Sequence, residues 1–322
     1  MEAGRFKELF RQMLRIRLVE EKIAEVYPEQ EMRCPVHLCT GQEAVAVGVC
    51  ENLTANDYVL SSHRSHGHYL AKGGSLKALL AELYGKETGC SGGKGGSMHL
   101  VDLEAGFLGS TPIVGSTIPI AVGAAFGSVL RNELRVVAVF FGDAATEEGV
   151  FHESVNFAVL KNLPVIFVCE NNLYSVYSPL EVRQPRTREI YQLAKSHGAW
   201  SAQGKGNDVE EVSRLANEAV ERARRGKGPA FLEFSTYRWR EHCGPYYDNP
   251  LGYRTEKEFL EWKERCPVKT FKERLIKERI LTSEEIRRIE SELNSEIEEA
   301  FRFAKESPFP PEESILQDIY AE

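Results

Sequence analysis

Residues 134–172 read LRVVAVFFGDAATEEGVFHESVNFAVLKNLPVIFVCENN, and no other stretch narrows the fold as far. LRVVAVFF (134–141) and LPVIFVCE (163–170) are short, β-branched and apolar on both faces, the pattern of strands buried on both sides. Between them, TEEGVFHESVNFAVLKN (146–162) carries Val150, Phe151, Val155, Phe157, Ala158 and Leu160 at helical spacing. Strand, helix and strand with short joins predict a βαβ crossover with parallel strands. Each apolar run ends abruptly in polar residues, GDA after the first and ENN after the second. Parallel strands end on one edge of the sheet, so Asp143 and Asn172 are expected in the crevice beyond the carboxyl ends, where open α/β sheets bind ligands.

A carboxylate and an amide oxygen are hard donors. Together they suit Mg²⁺, which takes a few protein oxygens and completes its shell with phosphate and water. A helix starting near Thr146 would aim its free N–H groups at the same place and favour an anion. The competing reading makes Asp143 an N-cap and the asparagines turn residues. The combination across one βαβ unit favours a magnesium–diphosphate site.

The rest of the chain extends this α/β pattern. PAFLEFSTYR (229–238) reads as a further strand after the helix DVEEVSRLANEAVERARRGK, and IPIAVGAAFGSVL (118–130) as a helix whose small residues permit close packing. An N-terminal amphipathic helix is expected over 5–26, with Phe6, Leu9, Phe10, Met13, Leu14, Ile16 and Leu18 on its apolar face. Charges interrupt its apolar runs, so it does not read as a signal peptide. After position 250 the chain turns helical: TSEEIRRIESELNSEIEEAFRFAKES carries a capping box from Thr282 to Glu285, and PFPP stops it. The expected arrangement is α/β: one domain over 1–322, with a mostly parallel sheet and helices on both faces, an α/β core over about 35–245 and a helical C-terminal part over about 255–322.

Composition excludes several classes. The net charge of −8 has no basic block, so nucleic acid is not an expected partner. No apolar run is long enough to span a membrane, and the seven cysteines are scattered without a CxxC pair, which points away from zinc and disulfide frameworks. A cytoplasmic location is the expectation. GCSGGKGGSMH (89–99) lacks the G-x-x-x-x-G-K-[ST] order of a P-loop and reads as a flexible loop that orders over the site. His63, His66 and His68 alternate in HRSHGH, but no cysteine or acid cluster stands beside them to complete a zinc site.

The 143–172 pattern resembles the thiamine diphosphate motif, which begins Gly-Asp-Gly and ends Asn-Asn. HLCTGQEAVAVGV (37–49), HRSHGHYLAKG (63–73), GGKGGSMHL (92–100), IVGSTIPIAVGAA (113–125), KNLPVIFVCENN (161–172) and TYRWREHCGP (236–245) occur in order. Over nearly the whole chain they resemble the α subunit of the E1 component of 2-oxo acid dehydrogenases, of the pyruvate and acetoin type. The resemblance implies thiamine diphosphate and Mg²⁺ as cofactors. Asp143, the Asn172 side chain and the Tyr174 carbonyl would bind the metal; Ala144 and Ala145 would meet the diphosphate through backbone N–H groups. Arg64 would reach the diphosphate oxygens, and Pro112 and Val114 would lie beside the pyrimidine. His242 would contact the cofactor and the reacting carbonyl, and His63 and His37 are expected to be catalytic with it, His37 on the substrate side. HRSHGH is closer to the acetoin-type form.

The resemblance also implies a β-type subunit in an α₂β₂ assembly, supplying the glutamate that activates the cofactor, and a lipoyl-bearing E2 as acceptor of the acyl unit. No second α/β set is read after position 250. The expected reaction is decarboxylation of a 2-oxo acid or cleavage of an acyloin such as acetoin, the substrate being a small molecule. Three departures matter. Ala144 replaces the motif's glycine, which would matter if the position needs φ > 0. Arg240 and Glu241 replace a His-Gly pair, placing a positive charge where a substrate with an extra negative charge or a polar tail would pass. Cys243 replaces a serine phosphorylated in animal pyruvate-type enzymes, so that regulation is not expected. A two-carbon transferase using a sugar or other non-lipoyl acceptor, and a non-catalytic assembly subunit, remain the alternatives.

Overall fold

The computed structural model describes residues 2–317. Its centre is a six-stranded, wholly parallel sheet: β1 (Tyr58–Ser61), β2 (Phe107–Ser110), β3 (Val137–Gly142), β4 (Val165–Asn171), β7 (Trp200–Lys205) and β8 (Ala230–Ser235). The order is β2-β1-β3-β4-β8-β7, and a separate two-residue ladder pairs β5 (Tyr174–Ser175) with β6 (Ser178–Pro179). The α/β fold class and its parallel sheet are therefore as expected.

Side-chain alternation builds both layers of the core. Ala138, Phe140, Ile166 and Val168 point to one face, packed by the helices Glu2–Val26, Glu43–Cys50 and Val209–Arg224. Val137, Val139, Phe141, Val165 and Phe167 point to the other, packed by Thr117–Leu130, Gly149–Leu160 and Ile190–Ser196. The N-terminal helix starts three residues before the expected position, and its inward row of Phe6, Phe10, Met13 and Ile16 is buried. Five strands were not anticipated: β1, β2 and the edge strand β7 of the main sheet, and the short pair β5 and β6.

The C-terminal part comprises the helices Glu256–Glu264, Pro267–Lys277 and Ser283–Glu306. Thr282 and Glu285 form the expected capping box. The last residues of that expected helical part, 318–322, lie outside the described residues. Among the described residues no helix is long and apolar enough to cross a membrane.

The glycine-rich segment does something other than expected. It wraps the carboxylate of Glu82, which is buried and accepts the N–H groups of Ser91, Gly93, Gly95 and Gly96 at 2.7–2.9 Å. It is an ordered nest for a carboxylate and does not line the cavity described below.

Candidate active site

The chain leaves β1 for β2 on one side, then returns to place β3 on the other. That reversal opens a crevice beyond the carboxyl ends of β1 and β3. A cavity of about 190 Å³ lies there. It is lined by His37, His63, Arg64, Pro112, Val114, Asp143, Ala144, Ala145, Asn172, Tyr174 and His242, which are all the site residues named from sequence. Gln42, Ser62, Thr117 and Glu170 join them.

At the acidic end, Asp143 follows β3 in the 3-10 turn Asp143–Glu147 and is 1% exposed. Thr146 donates its hydroxyl to the Asp143 carbonyl at 2.7 Å. The α-helix begins only at Gly149, so the turn, rather than the helix expected near Thr146, faces the cavity. Burial pushes the Asp143 carboxyl up, while Arg183, paired with its Oδ2, opposes that shift. The Ala144 φ angle is not positive, so its methyl group imposes no backbone strain.

The two asparagines divide. Asn171 donates to buried Glu233 at 2.8 Å and ties β4 to β8. Asn172 enters the cavity; its amide oxygen accepts the Tyr174 N–H at 3.3 Å and its nitrogen donates to Gln42 at 3.5 Å. Leu173, with φ of 73°, turns the chain between them. The Tyr174 hydroxyl donates to the Glu258 carboxylate at 2.9 Å.

At the other end three imidazoles meet. His37, His63 and His242 have ring centroids 4.7–5.2 Å apart, and their nitrogens lie within 4.8 Å of one another. Arg64 donates to the carbonyls of Leu38 at 2.7 Å and His242 at 3.1 Å. Burial, then the Arg64 charge, lowers His37 to about 2 and His63 and His242 to about 3. All three are therefore neutral near pH 7. The same guanidinium field disfavours a cation among them. His37 Nδ1 is buried without a partner among the described residues, a polar atom left to a ligand.

The alternating histidines of HRSHGH go to different places. His66 bridges buried Glu20 at 2.6 Å and Ser97 at 2.7 Å. His68 stacks on Phe140 with centroids 4.0 Å apart, contacts Ser61 at 2.8 Å, and lies 3.3 Å from Glu170. Arg240 departs from expectation. Its guanidinium pairs with Glu21 and the Pro245 carbonyl and does not line the cavity. The long side chain reaches back to the N-terminal helix, where a carboxylate awaits it.

The donor set fits a magnesium–diphosphate group: buried Asp143 already holds a cationic partner, Asn172 offers an amide oxygen, and Arg64 supplies a fixed charge in the same lining. Sequence reasoning missed Glu170, Gln42 and Arg183. The first two sit inside the quoted motifs ENN and TGQE, a positional signal; Arg183 carried none.

Residues 11–313 match the family described as dehydrogenase E1 component. The chain is 39% identical to the α subunit of acetoin:2,6-dichlorophenolindophenol oxidoreductase of Bacillus subtilis, covering 97% of this chain and 92% of that one. It is 40% identical to the pyruvate dehydrogenase E1 component subunit α of Porphyra purpurea, covering 98% and 92%. It is 37% identical to the chloroplastic pyruvate dehydrogenase E1 component subunit α-3 of Oryza sativa, covering 98% and 75%.

Proposed function

The chain belongs to the dehydrogenase E1 component family, and on that premise we propose that it is the α subunit of a thiamine diphosphate-dependent E1 enzyme acting on a 2-oxo acid or on acetoin. The observation that carries this reading is the convergence of Asp143, Asn172, Arg64 and three neutral histidines on one cavity at the sheet's switch point.

Asp143 and Asn172 are the side chains to hold Mg²⁺, with the Tyr174 carbonyl as third protein ligand. The turn at Ala144 and Ala145 would hold the diphosphate through its N–H groups, together with Arg64. Pro112 and Val114, which line the cavity, would form the wall for the pyrimidine. Thiamine diphosphate supplies the nucleophilic carbon and the electron sink. The neutral rings of His242, His63 and His37 would orient the reacting carbonyl and pass protons without adding charge. Arg64 and Arg238 are the cations acting on those rings, since Arg240 is engaged with Glu21.

A β-type subunit in an α₂β₂ assembly would supply the carboxylic acid that activates the cofactor, and a lipoyl-bearing E2 would take the acyl unit. The test is lipoyl acylation. The α chain co-purified with its partner is incubated with Mg²⁺, thiamine diphosphate, pyruvate or acetoin, and a free lipoyl domain. Acylated lipoyl domain supports the reading. Transfer to an aldehyde or sugar acceptor with no lipoyl acylation would replace it with the two-carbon transferase, and no cofactor binding would leave an assembly subunit.

A further inference from the structure

The segment after β4 is folded back onto the acidic end of the cavity. Arg183 presents Nη2 to the buried Oδ2 of Asp143 and Nη1 to Glu147, and its side chain is only 11% exposed. The next residue, Gln184, donates to the same Glu147 oxygen at 2.9 Å. Two consecutive residues thus clamp the turn that carries Asp143. The segment that delivers them is lightly held. Its ladder, β5 with β6, has two residue pairs, and Val176 sits at φ of 54°, a costly conformation for a β-branched residue.

A guanidinium and a divalent cation do not share one buried carboxylate oxygen, because both are positive and little water screens them. Arginine cannot escape by losing its proton. Mg²⁺ needs its oxygens at about 2.0–2.1 Å, and a guanidinium on Oδ2 leaves it only Oδ1 of the same carboxylate, with a positive charge beside it.

We propose that Arg183 is an intramolecular counter-cation for the metal site: it latches the segment Ser178–Gln184 over Asp143 and is exchanged for Mg²⁺ when the diphosphate enters. This rests on the reading of Asp143 as a metal ligand. Arg183 thereby sets cofactor affinity. The free-state ion pair stabilises the protein without its cofactor, and binding must overcome it, so apparent affinity falls by the share of molecules that are latched. The Asp143 charge always has a partner, first the guanidinium and then the metal.

The experiment is titration calorimetry on the α chain assembled with its β-type partner, with thiamine diphosphate as probe at fixed Mg²⁺. Arg183→Gln removes the counter-cation. Glu147→Gln weakens the latch from its other anchor and serves if Arg183→Gln does not fold. Either variant is expected to bind at least about fivefold more tightly than the unaltered protein. Unchanged or weaker binding in a folded variant overturns the latch, provided Asp143→Asn abolishes binding. If Asp143→Asn binds like the unaltered protein, the metal reading itself fails and takes the latch with it.

Discussion

Gly142, the last residue of β3, stands directly opposite Glu170 in the β3–β4 ladder. The chain therefore leaves both strands at one level, and Asp143 and Asn172 enter one cavity from neighbouring strands. Asn171, between Glu170 and Asn172, faces the sheet instead and holds Glu233. The alternation of a strand gives three successive polar residues different duties.

That division predicts two different mutants. Asp143→Asn removes the charged ligand and is expected to weaken Mg²⁺-dependent cofactor binding by more than the ~10–100-fold typical of lost supporting contacts. Asn171→Ala leaves buried Glu233 short of a donor and should cost about 1–3 kcal/mol of stability, with a smaller effect on cofactor affinity. Calorimetric titration and urea unfolding of both variants separate the two roles. Equal losses of affinity would contradict the assignment.

Ala144 stands where the resembled motif has glycine, yet its backbone needs no positive φ. Ala144→Gly should therefore change cofactor affinity by less than about threefold, while costing about 0.5–1 kcal/mol through greater freedom of the unfolded chain. A large gain in affinity would show that the methyl group crowds the diphosphate.

Arg240 is tied to Glu21, on the N-terminal helix, rather than to the cavity. Arg240→Ala should leave kcat/KM unchanged for every substrate turned over and cost about 1 kcal/mol of stability, the upper range for partly exposed pairs. Steady-state kinetics with substrates of different charge is the check. A loss confined to anionic substrates would restore a substrate-facing role.

The central βαβ unit was legible because its strands are buried on both faces and its helix turns Phe151, Val155 and Ala158 inward, although Phe157 and Leu160 of the expected apolar set are exposed. β7 was not, because the edge strand WSAQGK is half polar and mostly partly exposed. Asp143 and Asn172 could be placed by their position after the strands. The histidine cluster could not, since His37, His63 and His242 come from three distant segments and only the family resemblance joined them. Arg183, Arg240 and Glu82 were misread or missed for one reason: each finds its partners through the fold, not through local spacing.

Glu82 shows this in the glycine-rich segment. Its carboxylate accepts four backbone N–H groups within one buried nest. Glu82→Gln keeps the shape but replaces an acceptor oxygen with a donor NH₂ facing N–H groups. The expected loss is about 3 kcal/mol, with faster proteolysis between residues 89 and 99. Proteolysis unchanged from that of the unaltered chain would mean that the loop is held by other contacts.

The three cavity histidines predict how stability varies with acidity. Their folded values, about 2 for His37 and about 3 for His63 and His242, lie below the ordinary 6.5. Between those limits the unfolded chain binds protons that the folded chain refuses, so stability rises with pH across this window. Seen in the other direction, it begins to fall as pH drops below about 6.5 and goes on falling toward about 3. His63→Gln removes one such group and should flatten the slope by up to one proton, about 1.4 kcal/mol per pH unit. Urea unfolding of both proteins at several pH values between about 4 and 6 measures it. An unaltered slope would mean that His63 is protonated in the folded chain, with the Arg64 guanidinium turned away from the cluster.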